Sequence, residues 1–397
     1  MTKRYLFAFA LLVGIASTAA AHQQEQFSIA TLNVDGLPQK IWFAKVNAEG
    51  PGSVGSVRIG QYFLQKGYDL IFVQEDFNYH DELTVVLEKD YQIDTWSGDV
   101  GVEGHNIDFF HLQNHRFECD GLGGFWKNAI TVTNTQRTPW EKTFGKFSHA
   151  GDELVTKGFR RYDVTLPGGT ELIVYNMHMD ASSEIDEKES KDGPDREARL
   201  SEWLQLKDDI LTRLDTRPII ILGDLNSYYS RDQIKAQFID AIESTGKGTV
   251  KDVWVELERN GEYPAPVDGV VCCEDPANIL DGETLDKIIY INPIEGTNIK
   301  AVSFSLDQEG YMHNGKMMGD HFPLAATFTV EDSKATGIDE AMHPNGDGET
   351  MNGKQVYNLN GQRLRVGEHG SGMGIGKSGK GVYIESNGKE TRKRIMK

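Results

Sequence analysis

The chain has 397 residues, of which 39% are apolar, 25% charged and 10% aromatic, a globular composition rather than a disordered or fibrous one. It carries 41 basic and 60 acidic residues, and the resulting net charge of −19 argues against a broad surface for polyanions. Three cysteines are too few for a miniature fold held together by disulfides. The one long apolar run lies at the N-terminus, which excludes a polytopic membrane protein.

The first residues have the pattern of an export signal. Lys3 and Arg4 precede an apolar stretch over residues 5–16, and three alanines at 19–21 offer a small-residue cleavage site. The stretch is shorter than the roughly 18 residues that a membrane span needs, so a membrane anchor is the less favoured alternative. We therefore predict a signal peptide over residues 1–21 and a location outside the cytoplasm: secreted, at the cell surface or periplasmic.

Along the body, strand-like apolar runs alternate with helical patterns. Apolar residues have helical spacing over 56–66 and again over 200–214, where Trp203 and Ile210 lie on the apolar face. Many short strands with helices between them predict an α/β layered domain with substantial sheet. The strand-like runs are residues 27–33, 69–75, 129–133, 159–166, 171–177, 218–222, 285–291, 301–306 and 324–330.

Two polar stretches interrupt this pattern. Residues 184–199 are expected to form a solvated loop, and residues 332–350 a linker. Beyond the linker, residues 354–364 and 380–389 each look like a hairpin with an Asn-Gly turn. The segment 351–397 has ten Lys or Arg against three Glu, a net charge of +7, whereas the rest has 31 basic against 57 acidic residues, −26. This asymmetry predicts a separate C-terminal module.

Polar or ionisable residues stand where strand-like runs end. Since a sheet gathers a site from the ends of distant strands, we expect these side chains to lie together. Oxygen ligands without cysteine favour Mg²⁺, or Mn²⁺ or Ca²⁺, over structural zinc. Each residue taken singly also has a structural explanation, such as a turn or a helix cap. The residues are Asn33, Glu75, His178, Asp180, Asp224, Asn226, Asp286, Asp320 and His321.

In this order and with their flanks, the motifs resemble the endonuclease/exonuclease/phosphatase superfamily, which includes deoxyribonuclease I-like nucleases and neutral sphingomyelinases. The amino-acid sequences of residues 33–38 and 74–80 are most similar to those of a secreted branch of that superfamily. The resemblance implies a four-layer α/β/β/α sandwich with two facing mixed sheets, forming a catalytic domain over residues 22–331. The matching motifs are Leu-Asn33-Val-Asp-Gly-Leu, Gln-Glu75, His178-Met-Asp180, Gly-Asp224-Leu-Asn226, Leu-Asp286-Lys-Ile and Gly-Asp320-His321.

Carried over residue by residue, the resemblance implies that Glu75 holds the divalent metal, helped by Asn33 and Asp320. His321 would be the general base that takes a proton from water, with Asp320 or a neighbouring acid orienting it. His178 would donate to the phosphate. A phosphodiester is anionic, so its hydrolysis needs a cation, a base and such donors.

The other motif residues receive supporting roles. Asp224 and Asn226 would position the water and the phosphoryl oxygens, and Asp286 would orient a histidine or the metal shell. The pattern departs from many relatives at Lys287, where they have Tyr or His after the aspartate. This departure affects the detail of that position and not the class.

The resemblance predicts a metal-dependent phosphoric ester hydrolase, a phosphodiesterase or phosphatase, that acts on a phospholipid such as sphingomyelin at a membrane surface. The alternatives are a secreted Mg²⁺-dependent nuclease and a non-catalytic surface-binding module. Because the body is acidic, the phospholipid is favoured and no stable nucleic-acid complex is expected. We expect a monomer.

Three further features are open to two explanations. Lys157, Arg160 and Arg161 are expected to lie on a solvated face rather than in a basic patch. The aromatic stretch 98–127 is either a loop that enters a lipid interface or a loop fixed by buried aromatics. Cys119 could pair with Cys272 or Cys273, or all three thiols could be buried and unpaired.

The tail resembles the C-terminal sorting domains of Bacteroidota type IX secretion. The resemblance rests on Tyr-Asn-Leu-Asn-Gly-Gln at 357–362, Gly-Val-Tyr-Ile at 381–384 and a basic end. It implies that a secretion machinery is the partner of residues 351–397. The alternative is a small β appendage that packs on the body or binds a cell-surface polymer through its positive charge.

Overall fold

The protein is described by a computed structural model over residues 24–41, 44–98, 117–145, 149–182, 193–266, 279–280 and 282–331, together with four strands between residues 355 and 396. The chain divides into two compact units, residues 1–336 and 337–397. Within the described ranges, no helix is both long and apolar enough to cross a membrane. The signal peptide predicted over residues 1–21 and the linker predicted over 332–350 lie outside the described residues.

The first unit alternates strands and helices, as the sequence pattern predicts. Its helices are α1 (Gly52–Lys66), α2 (His80–Thr84), α3 (Gly193–Arg213), α4 (Tyr229–Asp232), α5 (Asp240–Glu243) and α6 (Val253–Glu258), with a π-helical turn at Lys235–Ile239 before α5. Its strands are β1 (Gln26–Asn33), β2 (Lys40–Ile41), β3 (Ala44–Lys45), β4 (Leu70–Gln74), β5 (Tyr91–Ile93), β6 (Gly123–Lys127), β7 (Thr131–Pro139), β8 (Gly158–Thr165), β9 (Glu171–His178), β10 (Ile219–Asp224), β11 (Gly248–Asp252), β12 (Ile279–Leu280), β13 (Glu283–Thr284), β14 (Asp286–Pro293), β15 (Asn298–Leu306), β16 (Met312–His313), β17 (Lys316–Met317) and β18 (Leu324–Glu331).

Twelve strands form two six-stranded sheets. The first has the order β15-β18-β1-β4-β6-β5 and the second the order β11-β14-β10-β9-β8-β7. In each sheet one central pair is parallel, β1 with β4 and β9 with β10, and the other pairs are antiparallel. Both sheets are therefore mixed, as predicted.

Three apolar layers separate the sheets from each other and from the helices. The central layer contains side chains of both sheets, among them Phe72, Val174 and Ile220. A second layer lies between the second sheet and α3 and includes Trp203, and a third lies between the first sheet and α1 and includes Phe63. This arrangement confirms the predicted four-layer α/β/β/α sandwich.

Two segments differ from the sequence-based expectation. Helix α3 begins at Gly193, so residues 193–199 are helical rather than part of a solvated loop; Arg199 and Glu202 are buried on the inner face of this helix. Strand β6 carries Phe125 and Trp126 into the sheet and the apolar layers, so this end of the aromatic stretch is core and not an interfacial loop. Residues 99–116 of that stretch lie outside the described residues.

The second unit contains a four-stranded sheet of the order β20-β19-β21-β22, with β19 (Gln355–Tyr357), β20 (Arg363–Leu364), β21 (Gly381–Ser386) and β22 (Thr391–Met396). Strand β19 pairs antiparallel with β20, and β21 pairs antiparallel with β22. The predicted small C-terminal β appendage, made of two hairpins, is therefore present.

A buried polar bridge joins the two sheets close to their shared edge. Asn176 on β9 donates to the backbone oxygens of Val73 and Gly123 in the other sheet, at 3.0 Å each. Its side-chain oxygen accepts a 2.6 Å bond from Gln74 Nε2, and Gln74 also bonds Thr31. All these side chains are fully buried. The hydrogen bonds between them therefore fix the spacing of the two sheets at this point.

Replacing Asn176 by Leu is expected to lower the free energy of unfolding by about 3 kcal/mol, because two backbone oxygens and the Gln74 amide would lose their buried partner. Urea unfolding measures this change. The matched control is Asn128→Ala, since Asn128 is exposed and should change stability by less than about 0.5 kcal/mol. Equal stability of Asn176→Leu and wild type would contradict the assigned role of the bridge.

Candidate active site

Two βαβ units bring four of the predicted site residues to one edge of the sandwich. Strands β1 and β4 are parallel, so their carboxyl ends place Asn33 beside Gln74 and the following Glu75. Strands β9 and β10 are also parallel and pair His178 with Asp224 at their carboxyl ends. The carboxyl ends of neighbouring parallel strands are a common location of binding sites in α/β sheets.

Two antiparallel strands complete the group. Asp286 is the first residue of β14 and pairs directly with Asp224 of β10, and His321 precedes β18. His321 Nδ1 lies 2.6 Å from Asp286 Oδ2, while its Nε2 lies 3.6 Å from Asp224 Oδ2. Asp286, and not the adjacent and exposed Asp320, is therefore the acid that orients this imidazole.

The Asn33 side chain connects acids from both sheets. Its Nδ2 donates to Glu75 Oε1 and to Asp224 Oδ2, each at 3.0 Å, and its Oδ1 accepts from the Asp35 backbone at 3.0 Å. The amide is thus fixed by three contacts. The Asn33 amide nitrogen thus holds the carboxylates of Glu75 and Asp224 close to each other.

Asn226 supports Asp224 through the backbone. Its N–H donates to Asp224 Oδ1 and its Nδ2 donates to the Met179 carbonyl, both at 3.0 Å. The Asn226 side-chain nitrogen thus bonds to the protein backbone. Before Asp224, Gly223 has φ +136°, and a Cβ there would collide with the Met177 carbonyl, so this approach of β10 to β9 requires glycine.

His178 is buried beside a cation. Its Nε2 lies 2.9 Å from Lys157 Nζ, 3.5 Å from Asp224 Oδ2 and 3.9 Å from Glu75 Oε1. Burial, followed by the positive charges of Lys157 and His321, lowers the pKa of His178 well below its ordinary value. His178 is therefore neutral at physiological pH.

His321, in contrast to His178, favours the protonated form. Burial opposes its protonation, but the carboxylates of Asp286 and Asp224 outweigh burial and raise the pKa of His321 well above its ordinary value. The two histidines thus occupy one site with different charges. Such divergence between neighbouring titratable groups is typical of catalytic sites.

Lys157 is a site residue that the sequence analysis missed. We expected it on a solvated face, and this expectation is wrong: Lys157 is buried, forms an ion pair with Asp152 and contacts His178. Arg160 is also buried, where it bonds Asp94 and Asp120. Lys157 belongs to none of the predicted motifs or strand-like runs. Arg160 lies within the strand-like run 159–166 and alternates with the buried Tyr162 and Val164, so strand periodicity offered a signal for its burial but not for that of Lys157.

Asp35 is a second residue that the sequence analysis did not single out. It lies within the first motif, in the left-handed conformation with φ +52°, as does Glu75 with φ +56°. Burial and the charges of Asp320 and Glu75 raise the pKa of Asp35 to about 8. Burial and Asp320 likewise raise the pKa of Glu75 to about 7.

This crowding of acids fits a divalent cation. Asn33, Glu75 and Asp320 are the predicted ligands. The carboxylate oxygens of Glu75 and Asp320 are of the kind that Mg²⁺ prefers, whereas Asn33 directs its amide nitrogen to Glu75 and its oxygen accepts from the Asp35 backbone. Asp224, Asp286 and His321 also offer ligand atoms within 4.8 Å of one another. In that second group, the 2.6 Å contact between His321 and Asp286 already engages two of the atoms. We therefore assign this second group to hydrogen bonding.

Asp180, also part of a predicted motif, belongs to a separate buried acidic group behind His178. Glu202 of α3 accepts the backbone N–H of Asp180 at 2.9 Å, and Asp152 accepts that of Ala181 at 2.9 Å. Burial and the neighbouring acids raise the pKa of Asp180 to about 9, and burial raises that of Glu202 to about 8. These two carboxyls are therefore mostly protonated at neutral pH, and they hold the end of β9.

Cys119 is buried at 2% exposure, and Cys272 and Cys273 lie outside the described residues. The two predicted pairings and the unpaired alternative therefore stay open.

Comparison with known proteins finds similar sequences and similar solved structures. No protein family model matches it. Among curated proteins it is similar to a sphingomyelinase of Mycobacterium tuberculosis, with 27% identity over 312 residues, which is 76% of this chain and 52% of that protein. The chain thus spans about half the length of the curated relative.

Two solved structures are similar to the chain. Sphingomyelinase C from Streptomyces griseocarneus has 15% identity and a TM-score of 0.48, covering 77% of this chain and 99% of that one. D. rerio TDP2 complexed with a single-strand DNA product has 15% identity and a TM-score of 0.49, with the same coverages of 77% and 99%.

The buried Glu202 predicts a pH dependence of stability. Because its pKa is raised from 4.5 to about 8, its contribution is complete below pH 4.5 and is lost as the pH rises through about 8. Glu202→Gln keeps an acceptor for Asp180 without the charge. We expect its free energy of unfolding to decline less between pH 5 and 8 than that of wild type, by up to about 1.4 kcal/mol per pH unit.

Urea unfolding across this pH range, without divalent metal, measures the difference. Glu197→Gln is the matched control, since Glu197 lies on the same helix with its side chain 75% exposed and should behave as wild type. Parallel pH profiles for Glu202→Gln and wild type would contradict the assigned protonation.

Proposed function

We propose that the chain is a divalent-metal-dependent phosphoric ester hydrolase. The observation that carries this proposal is the convergence, at one edge of the sandwich, of an acid cluster joined by Asn33 with two histidines of opposite charge preference. Hydrolysis of an anionic phosphoester needs charge neutralisation, a base and donors toward the phosphoryl oxygens. The described residues supply a group for each need.

Glu75, helped by Asn33 and Asp320, would hold the cation, which when bound neutralises phosphate charge and favours attack by water. His321 accepts the proton of the attacking water at Nε2. Asp286 holds the opposite ring nitrogen, Nδ1, and fixes the orientation of the ring. The negative charge of Asp224 helps to keep His321 protonated. His321 therefore becomes the neutral, proton-accepting form only when a positive charge offsets that of Asp224.

His178 and Lys157 act on the phosphoryl group. The Lys157 ammonium donates to Nε2 of the neutral His178 imidazole at 2.9 Å, so the pair contributes positive charge beside Glu75 and Asp224, where the phosphate must approach. Asn226 holds Asp224 in place through its backbone N–H. Preorganised donors of this kind are worth more in a buried site than in water.

For the substrate we favour a phospholipid such as sphingomyelin. Support comes from the mycobacterial sphingomyelinase, which aligns with 76% of this chain. A short hairpin of β16 and β17 directly precedes Asp320 and His321, and its Met312 is 40% exposed. Met312 stands eight residues before Asp320 in the chain, and an exposed, unbranched apolar side chain suits contact with a lipid aggregate.

The alternative of a secreted nuclease loses its best candidate contacts, because Lys157 and Arg160 are buried in ion pairs and do not form a cationic surface. A nuclease needs exposed cations along the nucleic-acid backbone. A non-catalytic binding module would not need the arrangement of His321, Asp286 and Asn33.

We expect the purified protein to release phosphocholine from sphingomyelin vesicles with Mg²⁺ and to lose this activity with EDTA. Glu75→Gln removes an anionic ligand, and His321→Ala removes the base; each should lower kcat/KM by on the order of 10²-fold or more. A product-release assay measures this, with phosphatidylcholine, phosphoinositides, DNA and RNA as parallel substrates.

The control is Glu88→Gln, an exposed glutamate that should keep wild-type activity. Full activity of Glu75→Gln or His321→Ala would refute the site. Turnover of DNA or RNA in place of lipid would select the nuclease, and no metal-dependent turnover of any phosphodiester would select the binding module.

We also propose that the protein is exported through its N-terminal signal and that residues 351–397 act as a sorting domain recognised by a secretion machinery. Removal of residues 337–397 should leave hydrolysis unchanged, because these residues form a compact unit of their own. In the native host it should change where the protein accumulates. Cell fractionation with activity measurement tests both parts; unchanged localisation would refute the sorting role.

A further inference from the structure

Asp286 is followed by Lys287, the position at which the motif departs from the family resemblance. Successive side chains of a strand point to opposite faces, so Lys287 lies on the face of β14 opposite to Asp286. Lys287 is only 3% exposed. A buried ammonium is costly unless it is paired and hydrogen-bonded, so its partners indicate what it does.

The Lys287 ammonium has three kinds of partner. Its Nζ lies 3.1 Å from Glu283 Oε1 and 2.9 Å from the Thr284 backbone oxygen. It also lies 4.6 Å from the centroid of the Tyr229 ring. An ion pair, a hydrogen bond and a cation–π contact together compensate its burial.

These partners belong to the two segments that carry the acids of the site. Glu283 and Thr284 form β13 just before Asp286, and the Thr284 hydroxyl donates to the Asp286 backbone oxygen. Tyr229 begins α4, which follows β10, and its backbone N–H donates to Glu283 Oε1. Lys287 thus fastens the turn before β14 to the segment after β10.

The position of Asp286 decides the state of His321. Asp286 holds His321 Nδ1 at 2.6 Å and is paired with Asp224, which faces the other ring nitrogen at 3.6 Å. Hydrogen bonds weaken steeply with distance and angle, and a misplacement of about 1 Å can cost on the order of 10²-fold in rate. A residue that fixes the position of the start of β14 therefore also affects the orientation of the His321 ring.

We propose that Lys287 is a positioning residue of the site: its buried ammonium fixes the Glu283–Asp286 turn against α4, so that Asp286 meets His321. Lys287 does not touch the reacting atoms and acts through Asp286. The kinetic consequence rests on the proposed hydrolase function, whereas the structural consequence is measurable without any substrate.

The test is Lys287→Met, which keeps the length of the side chain and removes the charge. We expect kcat to fall on the order of 10²-fold with little change in KM, since the base and not substrate binding is displaced. The downfield proton resonance of the short His321 Nδ1–H hydrogen bond, identified by its absence in His321→Gln, should weaken or disappear. Lys287→Arg keeps a cation and should recover part of both signals.

Two further variants separate positioning from general stability. Lys251→Met is the matched control, because exposed Lys251 also pairs with a glutamate, Glu256, and lies 5.9 Å from the Tyr290 ring, yet far along the sheet from the site edge. If Lys287→Met does not fold, Lys287→Met combined with Glu283→Gln removes both buried charges and leaves no orphaned carboxylate. The double variant should still lose the resonance and the rate.

Wild-type kcat and an unchanged resonance in Lys287→Met, or in the double variant if the single one does not fold, would overturn the inference. A fall in kcat with the resonance retained would also overturn it, because Lys287 would then act by another route. If wild type hydrolyses no phosphoester, the proposed function fails, while the resonance in Lys287→Met and Lys251→Met still decides the positioning role.

Discussion

The two hydrogen bonds from the Asn33 amide, to Glu75 in one sheet and Asp224 in the other, are the interaction on which the site depends. A sandwich of two sheets is held mainly by apolar packing, which has no direction and sets spacing only loosely. The amide adds direction, since it needs both carboxylates at 3.0 Å. Behind it, Asn176 and Gln74 repeat this cross-sheet contact in the fully buried layer.

The electrostatics of the site follow from burial and from the choice of partners. Burial disfavours charge on every ionisable side chain, so two histidines in one cavity should both be neutral. His178 follows this rule because its neighbour is the cation Lys157, whereas His321 escapes it because it lies between Asp286 and Asp224. Placement relative to charged neighbours, rather than depth of burial, gives the two imidazoles different states.

The sequence was most informative where a pattern is repeated. Apolar patterns predicted nine of the twelve strands in the two large sheets and the helices α1 and α3, but not β5, β6 or β11. The motifs at strand ends predicted residues that the structure does bring together, because parallel strands place their carboxyl ends at one edge. Two buried charged residues near the site were not predicted. Lys157 and Glu202 belong to none of the motifs, although apolar residues stand near both in sequence, and their burial depends on contacts with segments remote along the chain. For the partner of His321, adjacency in sequence favoured Asp320, whereas the family resemblance named Asp286 as an acid that orients a histidine, and the structure has the Asp286 contact.

The order of strands in the first sheet has a consequence for synthesis of the chain. Strand β1, near the beginning of the unit, lies between β4 and β18, and Gln26 pairs with Thr329 at its end. A ribosome that has released only the first half of the unit therefore presents β1 with one unsatisfied edge, open to pairing with other chains. His321 emerges immediately before the strand that closes this edge. Closure of the first sheet and the contact between His321 and Asp286 therefore both depend on the last segment of the first unit to be synthesised.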